Sequence, residues 1–134
     1  MKNLKQIIGV AVLFVMVLTA CSNYGTEKEF NGVQLFYTSS ITEAEADSLG
    51  NYLIAAQFAD GEKKSVQLNK DGDTYEFRMV VKEGYDTNDE FFAIAQAFAS
   101  ELSAGVFHGS PVEVHLCDDQ LETLREVPMG MTAQ

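Results

Sequence analysis

Two histidines and two cysteines are the side chains of this 134-residue chain best suited to metal or nucleophilic chemistry. His115 and Cys117 lie two apart in an apolar–polar alternation, so an extended backbone points both the same way. Asp118 and Asp119 follow directly and His108 precedes them. Imidazole, thiolate and carboxylate all bind zinc, but a tetrahedral site needs three or four to converge, and no Cys-x-x-Cys or His-x-x-x-His supplies a pair. Ser100, Ser103 and Ser110 flank His108, yet none sits in a Gly-x-Ser-x-Gly elbow and no carboxylate is placed to orient the ring. Asn69-Lys70-Asp71-Gly72-Asp73 has the composition of a calcium loop. With Gly72 at its sixth position, however, Gln67 falls first and Arg78 twelfth, where Asp and a bidentate Glu are needed. There is no phosphate-cradling glycine loop and no dinucleotide fingerprint. The expectation is no cofactor, no metal and no catalytic residue. A small metal-binding protein or enzyme using His108, His115 and Cys117 is the alternative.

Charge narrows the partners. Acids outnumber bases 20 to 9, for a formal charge of −11. Such a surface repels phosphate backbones, which excludes nucleic acid. There are two cysteines, and if Cys21 is covalently occupied Cys117 has no mate in the chain, so no disulfide framework is expected; a lone thiol in a folded domain is expected to be buried as a small apolar group.

The chain opens with Lys2 and Lys5 and no acid, then runs apolar from Ile7 to Leu18. About a dozen residues span roughly 18 Å as a helix, well short of the ~30 Å of bilayer hydrocarbon. The pattern is that of an export signal. It closes on Leu18-Thr19-Ala20-Cys21, which resembles the lipobox of bacterial lipoprotein precursors. That resemblance implies cleavage of residues 1–20, lipid attachment at Cys21 and anchorage of the mature chain to a membrane of the cell envelope. Ser22 resembles the signal for the outer membrane, facing the periplasm. Removing the leader leaves 114 residues, enough for one compact domain. Residues 21–31 are polar and aperiodic and read as a flexible tether, residues 32–128 as one α+β domain, and residues 129–134 as a disordered tail.

Val33 to Thr38 alternates as a strand, and Thr42-Glu43-Ala44-Glu45 is a capping box opening a helix to about Gln57, with Ala46, Leu49, Leu53 and Ala56 on its buried face. Ser65 to Lys82 reads as a hairpin turning at Gly72. Thr87-Asn88-Asp89-Glu90 reads as a second capping box, for a helix to about Gly105 whose apolar stripe is Phe91, Ile94, Ala95, Phe98 and Leu102. Val112 to Cys117 is a fourth strand. Asp118 to Pro128 admits two readings: a single helical turn capped by Asp119-Gln120-Leu121-Glu122, or an edge strand from Thr123 to Val127 that Pro128 ends, and the strand is preferred. The order strand, helix, strand, strand, helix, strand resembles the ferredoxin-like two-layer sandwich, and the mature part looks like small uncharacterised lipoproteins. That fold implies an antiparallel sheet, both helices on one face, right-handed crossovers and an open second face.

Strand parity places Gln34, Phe36, Glu76, Arg78, Glu113 and His115 together on that open face. A large aromatic among polar groups fits a docking surface for a protein partner; a solvated face with an incidental Phe, or a face covered by the tail or by a second copy, would give the same pattern. The reading favoured by the sequence is therefore a lipid-anchored, non-catalytic interaction module.

Overall fold

The computed structural model describes residues 24–130; the lipobox with Cys21, the leader and the last four residues of the tail lie outside them. Six strands form one sheet: β1 (Thr26–Phe30), β2 (Val33–Tyr37), β3 (Lys64–Asp71), β4 (Thr74–Val80), β5 (Val112–Cys117) and β6 (Thr123–Pro128). Helix α1 (Glu43–Ala55) joins β2 to β3, and α2 (Asp89–Gly105) joins β4 to β5. No helix among the described residues is long and apolar enough to cross a membrane.

The strands lie in sequence order, β1-β2-β3-β4-β5-β6. Each helix links two adjacent parallel strands, β2 to β3 and β4 to β5, and every other neighbour is antiparallel. This overturns the ferredoxin-like expectation, in which a strand is inserted within each βαβ unit. The local pattern is common to both folds, but here the crossovers skip nothing, and two further strands extend the edges.

Both helices pack on the same face. Gly50 of α1 meets Phe30, while Phe98 of α2 meets Phe77, and pairing sets Phe30 and Phe77 on one side of the sheet. The two parallel pairs point in opposite directions, yet both steps proceed the same way across the sheet. The two crossovers therefore have opposite hands, and one breaks the usual right-handed rule.

The first capping box is present, with Thr42 Oγ1 accepting from Glu45 N and Glu45 accepting from Thr42 N. The second is not: Thr87 closes a 3-10 turn, and Asn88 caps α2 by accepting from Phe91 N at 2.8 Å. Ala56, expected on the buried face of α1, is its exposed C-cap; in α2, Ile94 is 61% exposed and the buried face runs through Ala95, Ala99 and Leu102 instead. In the hairpin, Asp71 pairs with Thr74 around Gly72-Asp73, and Gly72 takes the positive φ (63°) that a two-residue turn requires. The expected tether ends early, since Thr26–Phe30 is an edge strand of the sheet. Lys28 points to the helical face and bonds Glu43 and Asp47 at 2.8 and 2.6 Å.

Candidate functional site

The sheet face opposite the helices gathers all six residues that parity assigned to it. Register runs Phe36↔Gln67↔Arg78↔His115 and Glu76↔Glu113, with Gln34 two residues from Phe36. The face is not open where Phe36 lies. Phe36 is 5% exposed, packed with Cys117, Leu121, Tyr24 and Val80 in a second small core. Tyr24 meets its ring edge-on at 5.4 Å, from the segment read as tether. The docking surface expected at Phe36 is thus already covered by the chain's own Tyr24 and the β5–β6 loop.

Beside this core the polar groups bond one another. Arg78 donates to His115 Nδ1 at 3.2 Å and to the Leu121 carbonyl at 3.1 Å. Guanidinium can only donate, so Nδ1 accepts and the ring proton sits on Nε2, 3.1 Å from Glu113 Oε1. Thr123 Oγ1 also lies 2.9 Å from Nδ1. Glu76 accepts from Asn69 at 3.0 Å and has Arg78 at 3.8 Å.

Glu76, Glu113 and His115 offer ligand atoms close enough to share one cation. The positive charge there is already Arg78, whose buried Nε finds no partner, and the imidazole nitrogen facing Glu113 carries the ring proton, so the two acids have cationic and N–H partners without an ion. His108, His115 and Cys117 do not converge. His108 is exposed near the start of β5 and borders a hollow with Glu45, Ser48 and Tyr75, whereas Cys117 ends the strand about 17 Å further on. Cys117 is fully buried, and that burial pushes its thiol up despite the opposing pull of Arg78. A thiol so placed is a poor nucleophile.

A different feature, carried by no motif, lies at one end of the sheet. The β3–β4 ladder stops at Val66↔Met79, although β3 begins at Lys64 and β4 ends at Val80. Outward from that pair, Lys64 is held by Val33 of β2 and Val80 by Cys117 of β5. The central strands fork. The cause is the topology: the chain enters β3 from α1, over β1 and β2, and leaves β4 for α2, over β5 and β6. Adjacent connections that diverge leave a crevice between them, here between the amino end of β3 and the carboxyl end of β4.

The crevice holds about 500 Å³, within the range of small-molecule sites. Phe58, Val66, Met79 and Val81 give it apolar walls, and Lys63, Lys64, Lys82, Glu62 and Asp119 stand around it. Its only sequence signal is the Lys63-Lys64 pair at the start of one strand and Lys82 after the next, in a chain poor in bases.

Residues 28–128 match a family model described as a family N-terminal domain, a span that runs from within β1 to the last residue of β6. No curated protein and no solved structure matches.

Proposed function

We propose, for a chain that belongs to the AF_1994_N family, that it is a lipid-anchored binding module of the bacterial cell envelope whose ligand seat is the crevice between β3 and β4. The anchor reading rests on Leu18-Thr19-Ala20-Cys21 and the basic, apolar leader before it; Ser22 favours the outer membrane facing the periplasm. The single observation that carries the binding reading is the forked central hairpin with its apolar walls. A non-catalytic role fits the chemistry present: the one free thiol among the described residues is buried, and His115 is engaged at both ring nitrogens.

Two experiments test the two halves. Replacing Cys21 by Ser should abolish incorporation of a palmitate analogue and release the protein from sedimenting membranes; unchanged labelling removes the anchor. For the crevice, protein purified from membranes is extracted and its co-purified small molecules identified by mass spectrometry. Val81→Trp, which fills the crevice, should lose species that the parent retains. Identical extracts from two folded proteins would refute the seat.

A further inference from the structure

The ligand class can be read from which basic side chains are already engaged, resting on the crevice as a binding seat. Lys28 is held by Glu43 and Asp47, Arg78 by the His115 network, and Lys64 by Asp60 at 2.7 Å. Lys70 lies 4.8 Å over Tyr75, and Arg125 lies 4.1 Å over Phe92. Among the described residues this leaves Lys63 and Lys82 as the basic side chains with no ion pair, hydrogen bond or ring contact. Both stand at the crevice.

Their placement follows from the fork. Carried outward from Val66↔Met79, the β3–β4 register would set Ser65 against Val80, Lys64 against Val81 and Lys63 against Lys82. Because the ladder stops short, the two lysines are at its open end instead of side by side in a strand pair. In a chain with 20 acids, two unpaired cations flanking one apolar hollow are an unusual use of scarce positive charge. Glu62 and Asp119 share the rim, and Lys63 also borders a shallower hollow with Glu27 and Glu29. Neither Glu62 nor Asp119 forms an ion pair with either lysine.

We infer that the crevice binds a small anionic amphiphile, its apolar body between Phe58, Val66, Met79 and Val81 and its carboxylate or phosphate head between Lys63 and Lys82. Apolar walls alone would accept any apolar chain; the free lysines select the sign of the head group.

The test uses the full chain in phosphatidylcholine nanodiscs, with methyl-labelled methionine. Met79 lines the crevice and reports occupancy locally. Titration with octanoate should shift the Met79 methyl signal saturably, and octyl phosphate should do the same. Octylammonium, with the same chain and the opposite charge, should bind at least tenfold more weakly, and acetate should leave the signal unmoved. Lys63→Gln and Lys82→Gln should each weaken octanoate binding roughly five-fold, on the order of 1 kcal/mol. Neither residue has a partner to lose, so both variants should fold. Equal binding of octanoate and octylammonium would overturn the inference while leaving the crevice as a seat for apolar ligands. No response of Met79 to any octyl probe would overturn the inference; the extraction comparison with Val81→Trp then decides the seat independently.

Discussion

Gly50 tests whether β1 belongs to the folded unit. It lies inside α1, where glycine costs about 1 kcal/mol relative to alanine. By propensity alone, Gly50→Ala should stabilise the protein. A Cβ at this position, however, would stand 2.3–2.4 Å from three atoms of the Phe30 ring. Phe30 is half-buried in β1 and packs against the main core. Either the ring is driven away, loosening β1, or α1 is pushed off the sheet. Overpacking of this kind costs about 1–3 kcal/mol, so the net effect should be a loss of about 1–2 kcal/mol. In a Phe30→Ala background the obstruction is gone and the same Gly50→Ala should stabilise by up to about 1 kcal/mol. The double-mutant cycle, followed by urea unfolding and circular dichroism, should therefore show a change of sign with a coupling of about 2–3 kcal/mol. The same effect of Gly50→Ala in both backgrounds would refute the contact and with it the placement of β1 beneath α1.

Removing the Arg78 guanidinium by Arg78→Ala strips donors from His115 and the Leu121 carbonyl; it should cost about 2 kcal/mol and accelerate amide exchange across residues 118–122. Cys117 should resist alkylation at neutral pH in the folded protein and react fully in urea, as burial and a raised thiol pKa require. Burial pushes the Glu45 carboxyl up, but hydrogen bonds from the Thr42 backbone, Tyr75 and the Thr42 hydroxyl outweigh it and leave the group below its ordinary range. A carboxyl depressed in the folded state contributes stability above its unfolded pKa, about 4, and loses it as pH falls through the folded value. Glu45→Gln should accordingly flatten the acid limb of the stability profile, read as urea midpoints from neutral to strongly acidic pH.

What the sequence made legible was local. Thr42 and Glu45 announce their capping box at fixed spacing, and Gly72 announces its turn, because both are determined by neighbours within four residues. β1 was hidden because Thr26-Glu27-Lys28-Glu29-Phe30 is a charged edge strand with one large apolar side chain, a composition that edges share with loops. Strand order was hidden because pairing across the sheet is non-local: nothing in Val33–Tyr37 says whether β3 will lie beside it or one strand away. Parity placed Phe36 on the correct face, but its cover comes from Tyr24 and Leu121, remote in sequence and unremarkable alone. Ile94 shows the opposite error, where an apolar residue at helical spacing proved to be outside the buried face. The crevice has no linear signature, since it is made by two connections diverging.

The seat between β3 and β4 is tested most directly by lysine footprinting, comparing the reactivity of each lysine in native envelope membranes with that in the purified, delipidated protein. An occupied crevice shields Lys63 and Lys82 in the membranes and frees both on extraction, while Lys28 and Lys70 change little. Equal reactivity of Lys63 and Lys82 in the two states would contradict a ligand held there.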